Sequence, residues 1–309
     1  MPVLRLATRG SPLALRQAES VAERLRAVHH ELEVEVVVVR TQGDIRTESL
    51  DQLGGQGIFV TEVEAALGDD RADVAVHSAK DMPSVMRPDL CLAAVPPRAD
   101  PRDALVGCTL DTLPPGGLIA TGSARRRAQL AHVRPDLVFT DLRGNMERRV
   151  SRGEDGSLSA VVVAVAALER LGWTDRLSDV LEPWVMLPQA GQGAIAVQCR
   201  TEDTSVRALL GAIDDEGSHR AVRAERAMLA AVGGSCTVPV AAWARGGAGG
   251  PGHLRLDGLL ASADGHQVVR AAREGDDPEA LGSALARVLL SEEGGSGIEG
   301  FGASDPATA

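Results

Sequence analysis

Short apolar runs alternate with helical stripes along almost the whole chain. VLRLATR, from Val3, reads as a strand, and Ser11-Pro12 then supplies a helix cap and a first-turn proline. Leu13, Leu15, Ala18, Val21, Ala22 and Leu25 continue at the spacing of an amphipathic helix. Leu32 to Val39 gives the next strand, and the glycine-rich segment Gly54-Gly55-Gln56-Gly57 leads through Ile58-Phe59-Val60 into a helix ending near Leu67. Val74-Ala75-Val76 is a short buried strand that breaks into His77, Ser78, Lys80 and Asp81, where Pro83 discourages continuation of strand or helix. Leu92 to Val95 is a further strand.

PPRADPRDALV, proline-rich and charged, has the composition of a crossing between domains. A second block repeats the strand-to-helix pattern. Leu118-Ile119-Ala120 precedes TGSARRRAQL, Val138-Phe139 precedes the LRGN turn, and Val161 to Val165 runs into a short helix carrying Arg170. LPQAGQGAIAVQCR, from Leu187, reads as a return crossing with a strand at Ala194 to Gln198, and the HRAVRAERAMLAAV helix stops at Gly233-Gly234, a suitable C-cap. Strands at Pro239 to Trp243, Leu254 to Leu260 and Gln267 to Arg273, a hairpin turn at Asp264-Gly265 and a helix from Pro278 to Leu290 follow. The Gly, Ser and acidic tail from Glu292 is expected to be disordered. Alternating strands and helices over 309 residues place the chain in the α/β class with two or three domains.

Composition narrows the function. A net charge of -11 argues against a general nucleic-acid or anionic-membrane surface, so any anion site must be local. With no Tyr, three Phe and three Trp, the core is built mainly from Val, Leu and Ala, which argues against base stacking on aromatics as a function. Arg5, Arg9 and Arg16 interrupt the first apolar residues, and no run reaches membrane-spanning length, so a cytoplasmic protein without membrane partners is expected. Cys91, Cys108, Cys199 and Cys236 are widely spaced, with no Cys-x-x-Cys and no His-Glu-x-x-His, which supports neither a metal site nor a disulfide framework.

Candidate chemistry gathers at strand ends. Lys80 and Asp81 follow a buried strand at the edge where open α/β sheets bind ligands, and form a plausible acid/base and anion-orienting pair. A solvated turn is the alternative. Arg9 and Ser11 fall at a strand-to-helix turn, where free backbone donors and a guanidinium fork hold a carboxylate or phosphate, with Gln17 one turn on. Arg125, Arg126 and Arg127 follow Thr121-Gly122-Ser123 at the start of a helix, against the helix dipole, which invites either a bound anion or arginines fanned into solvent. Arg143 in the LRGN turn, which ends in Asn145, then Arg149 and Arg170 lie at two further junctions of the block; one polyanionic ligand explains the repetition. Cys236, in a glycine-flanked loop, is a candidate nucleophile or attachment point, or else an inert buried thiol.

Seven segments in order, ATRGSPLAL, GGQGIFVTE, ADVAVHSAKDMP, TGSARRRAQL, LRGN, LPQAGQGAIAV and GGSCTVP, resemble the hydroxymethylbilane synthase (porphobilinogen deaminase) family, over about Arg5 to Leu290. The resemblance implies three α/β domains, the first two like type II periplasmic binding proteins and the third a small α+β sheet covered by helices. The expected limits are 1–97 with 194–215, 98–193 and 216–291, ahead of a tail at 292–309. It implies head-to-tail condensation of four porphobilinogen molecules with loss of ammonia, and hydrolytic release of the linear tetrapyrrole. A dipyrromethane cofactor is implied on Cys236 through a thioether, with Asp81 as the catalytic carboxylate that stabilises the cationic azafulvene. Lys80, Ser78, Arg125, Arg126, Ser123, Thr121 and Asn145 are implied as cofactor contacts, and Arg9, Ser11, Gln17, Arg143, Arg149 and Arg170 as contacts to substrate and growing polypyrrole. A monomer is implied as well. Gln52 and Gln56 stand where several members have lysine, and Ser235 where glycine often precedes the cysteine. The competing reading is a non-catalytic binding or sensing protein for a small anion with the same two-domain cleft, which would need neither Cys236 nor Asp81.

Overall fold

The computed structural model describes residues 3–39, 60–233 and 238–301. Gln52, Gln56, the glycine-rich segment 54–57, Ser235 and Cys236 lie outside the described residues. The strands are β1 (Val3–Arg9), β2 (Glu33–Val39), β3 (Val74–Ser78), β4 (Leu90–Ala94), β5 (Asp103–Gly107), β6 (Leu118–Ala120), β7 (Val138–Thr140), β8 (Ala160–Ala164), β9 (Asp179–Leu181), β10 (Ile195–Arg200), β11 (Val240–Gly246), β12 (Leu254–Ala261) and β13 (Val268–Gly275). They form two five-stranded sheets, β2-β1-β3-β10-β4 and β7-β6-β8-β5-β9, and a three-stranded antiparallel sheet, β11-β12-β13.

The two larger sheets share one plan. β1 runs parallel to β2 and β3, while β10 returns antiparallel between β3 and β4. Likewise β6 runs parallel to β7 and β8, while β5 lies antiparallel between β8 and β9. This order, with one strand of the sheet contributed from across the chain, is that of the type II periplasmic-binding architecture.

The chain divides into two compact units. The first contains residues 1–101, 166–174 and 191–222, and the second residues 102–165, 175–190 and 223–309. The first unit holds the sheet of β1 and is filled on both faces by period-2 alternation. Leu4 and Leu6 pack on Ala18, Val21, Ala22 and Leu25 of the helix Pro12–Val28, while Ala7 turns to Val63, Ala66 and Leu67 of the helix Thr61–Gly68. Ser11 caps the first of these helices by accepting from Ala14 N at 3.3 Å, with Pro12 in its first turn. The second unit holds the sheet of β5 around Leu105, Ile119, Leu130 and Val162, together with the small antiparallel sheet.

The small sheet packs on the helix Ala124–Val133 through Ala128, Leu187, Ala241, Leu259 and Ala261. Gly265, at φ +75°, fits this junction because a Cβ there would lie 2.2 Å from Ala128 O. Residues 292–301 of the expected structureless tail continue as short helical turns in which Ile298 and Phe301 are buried. Two apolar side chains three residues apart are enough to anchor it, a signal submerged by the glycines around them. No helix among the described residues is long and apolar enough to cross a membrane.

Candidate active site

In the first unit, β1 and β3 run parallel and side by side, which brings their carboxyl ends to one edge. Arg9 closes β1, and Ser78 closes β3 opposite Ile195. A single 3-10 turn, Ala79–Asp81, follows. Ala79 and Met82 are buried and anchor this turn, so the residues between them are held by packing although Asp81 itself is exposed. Among the described residues no side chain or backbone group hydrogen-bonds the Asp81 carboxylate. It is an acceptor held ready on a fixed turn.

Lys80 is half-buried beside it and donates from Nζ to Gln192 Oε1 at 3.3 Å. Gln192, fully buried, donates in turn from Nε2 to Pro101 O at 2.7 Å, and its own carbonyl accepts from Arg98 Nε at 2.8 Å. The neighbouring Gly191, at φ +75°, rests directly on the backbone of this 3-10 turn: a Cβ there would stand 2.8 Å from Ala79 C and Lys80 N. Arg170 donates to Gly193 O at 2.7 Å, and burial pushes its guanidinium down to about 10. It therefore sits with the return segment 191–193, within the first unit. Gln17, in the second turn of the helix that follows Arg9, is buried, and its Nε2 has no partner.

The second unit carries its own cluster at the carboxyl ends of β6 and β7. Thr121, buried, accepts from Ser123 N at 3.2 Å, and Ser123 caps the helix Ala124–Val133 by accepting from Arg126 N. Arg125 and Arg126 are not fanned into solvent; both are buried against Asp103, the first residue of β5 and itself fully buried. Arg126 donates from Nε to Asp103 Oδ1 at 2.9 Å, and Arg125 Nη1 pairs with Asp103 Oδ2 at 2.8 Å while donating to Leu187 O at 2.7 Å. Burial pushes the Arg125 guanidinium down and Asp103 acts against that. Arg127, by contrast, is half-exposed and pairs with Asp141.

At the adjoining junction Asn145 caps the helix Met146–Glu154 by accepting from Arg148 N at 3.0 Å. Arg149 donates from Nε to Gly144 O at 2.9 Å, and Arg143 is exposed with Asp141 3.7 Å away. Each unit thus gathers its own share of the predicted residues, and Cys236 is the one predicted site residue outside the described ones. Reading the sequence missed Asp103, Gln192 and Gln129. Asp103 lies inside DPRDAL, which reads as a charged crossing, although an acidic residue opening the apolar strand DALVG is itself a signal of a buried partner. Gln192 lies in QAGQG, where the glycines take the attention. Gln129, in the helix of the three arginines, brackets Leu187 by accepting from its N at 2.8 Å and donating to its O at 3.1 Å.

Residues 4–208 match the family model described as the porphobilinogen deaminase dipyromethane cofactor binding domain, and residues 219–291 match the porphobilinogen deaminase C-terminal domain. The chain belongs to the porphobilinogen deaminase family. It is 45% identical over 302 residues to the porphobilinogen deaminase of Roseiflexus sp. (strain RS-1), covering 94% of this chain and 97% of that one. It is 48% identical over 275 residues to that of Sorangium cellulosum (strain So ce56), covering 87% and 90%. Among solved structures it is similar to a nutrient-binding protein from Burkholderia cenocepacia bound to methionine, at 12% identity and TM-score 0.42, covering 69% of this chain and 92% of that chain.

The cofactor of the porphobilinogen deaminase family can be tested against the residues present. Arg125 keeps Nε and Nη2 buried and without a partner. Buried donors of this kind cost stability unless an acceptor meets them. Two guanidiniums against one carboxylate also leave one uncompensated buried positive charge. A dipyrromethane, which brings several carboxylates, supplies what these groups lack, and the residues fit it.

Proposed function

We propose that this porphobilinogen deaminase family member is a hydroxymethylbilane synthase, a transferase that joins four porphobilinogen molecules head to tail, releases ammonia at each addition and frees the linear tetrapyrrole by hydrolysis. The observation that carries the reading is the unpartnered Asp81 carboxylate on a packed turn next to a tethered ammonium.

Dipyrromethane bound through Cys236 supplies the pyrrole end to which substrate is added. Thr121, Ser123, Arg125, Arg126 and Asn145 hold its side chains, together with Ser78 and Lys80. The arginines act as forks for acetate and propionate, and Arg125 does so from a buried position where a charge-assisted bond is strongest. Arg9, Ser11, Gln17, Arg143, Arg149 and Arg170 receive the carboxylates of porphobilinogen and of the growing chain. Every pyrrole adds two carboxylates, which accounts for the number of arginines in an acidic protein.

Asp81 accepts from pyrrole N–H and faces the positive charge that develops as the amine leaves. A fixed carboxylate aimed at developing charge lowers the barrier because it need not reorganise during the step. Lys80, held by Gln192, orients the acidic side chains beside that centre. The protein works as a cytoplasmic monomer organised as three domains, 1–97 with 194–215, 98–193 and 216–291.

Intact mass of the purified protein, with peptide mapping around Cys236, tests the reading. The expected result is an added mass of two linked pyrrole units on that thiol, together with ammonia release from porphobilinogen. An unmodified protein that also fails to load on incubation with porphobilinogen would leave a small-anion binding protein as the better reading.

A further inference from the structure

Cys91 and Cys199 take no part in the chemistry above, yet their sulfurs lie 3.8 Å apart. The two residues are register partners on the antiparallel strands β4 and β10, so their side chains leave the sheet on the same face and at the same level. Both are free thiols, Cys199 buried in the apolar core of the first unit and Cys91 partly accessible at its margin. Cys108, the other free cysteine among the described residues, belongs to the second unit.

We propose that Cys91 and Cys199 form an oxidisable dithiol site that reacts with small disulfides to give a cross-strand disulfide in the first unit. The approach needed, from 3.8 Å to a bond of about 2.05 Å, is within reach of side-chain rotation at paired positions. Accessibility sets the order of events. Cys91 loses its proton and attacks one sulfur of the oxidant R–S–S–R, forming a mixed disulfide and releasing R–S–H. Cys199 then gives up its proton and attacks the Cys91 sulfur, expelling the second R–S–H. Two protein thiols are oxidised and one small disulfide is reduced to two thiols.

Burial, reinforced by Cys91, pushes the Cys199 thiol up to about 12, which keeps it protonated until the mixed disulfide is in contact with it. The reaction ties the strand on which the chain leaves the first unit to the strand on which it returns. The two cysteines are 108 positions apart, so the bond closes a loop containing all of β5 to β9. Closing so long a loop removes freedom from the unfolded chain and raises stability.

The test treats the full-length purified protein with oxidised glutathione, alkylates remaining thiols, and maps non-reduced peptides, which reads each cysteine separately whatever Cys236 carries. The expected result is a peptide pair linked through Cys91 and Cys199, with Cys108 alkylated. The thermal midpoint should rise by several degrees and return on adding dithiothreitol. Cys199→Ala should stop at a glutathione adduct on Cys91, and Cys91→Ser should show neither adduct nor shift. Wild-type protein with Cys199 still alkylatable after oxidation, or with Cys91 untouched, would overturn the proposal.

Discussion

Asp103 lies 2.8 Å from Arg125 in a position where neither side chain is reached by water, and the same carboxylate also holds Arg126. Removing one partner of a buried pair leaves the other charge uncompensated, at a cost of about 3–5 kcal/mol. Here the loss is compounded, since Arg125 and Arg126 would face each other with no carboxylate between them. Asp103→Asn is expected to lower the urea midpoint strongly and to reduce the fraction of purified chain that carries cofactor by intact mass. Porphobilinogen should restore part of that fraction, because ligand carboxylates replace the missing charge.

Asp81 gives the opposite pattern. It is exposed and without a protein partner, so its substitution leaves packing untouched. Asp81→Asn is expected to unfold with wild-type protein, to retain dipyrromethane by mass, and to lose about a hundredfold or more of its ammonia-release rate. Near wild-type turnover would remove this carboxylate from the mechanism.

The contrast between these residues explains what the sequence disclosed. Asp81 follows an apolar run and precedes a proline, and Ser11-Pro12 and Ser123 sit at helix starts, so local rules place all of them correctly. The two sheets of the same order also follow from runs that the alternation makes visible. Asp103, Gln129 and Gln192 are different, because their roles depend on partners at positions 125 and 126, 187, and 80 and 101, fixed only when strands far apart in sequence become neighbours. The burial of Arg125 and Arg126 was hidden for the same reason. A run of three arginines at a helix start admits either a bound anion or solvent until the carboxylate of β5 is seen beneath it.

Gly191 presses on the Ala79–Asp81 turn from the return segment. Because the contact atoms at 2.8 Å are backbone, and the residue has φ +75°, an added methyl cannot be accommodated by a side-chain rotation. Gly191→Ala should cost about 1–3 kcal/mol in denaturant unfolding. It should also lower kcat more than it raises KM, because the displaced atoms are those that carry Lys80 and Asp81. A variant with lower stability and unchanged kcat would show that the turn does not depend on this contact.

His77, one residue before Ser78, ties stability to pH. Burial pushes its imidazole down to about 4, with the Arg9 charge acting in the same sense. The native state therefore keeps the ring neutral between about 4 and its ordinary value of 6.5, while the unfolded chain takes up a proton there. Since the unfolded state binds more protons in that window, stability must fall as the pH drops from 6.5 towards 4, by an amount on the order of 3 kcal/mol. Above 6.5 the ring is neutral in both states and contributes no slope. His77→Gln removes the titrating group and should flatten the urea midpoint against pH over that range, leaving only the carboxylate losses at lower pH. An unaltered slope in the variant would assign the acid sensitivity to other groups.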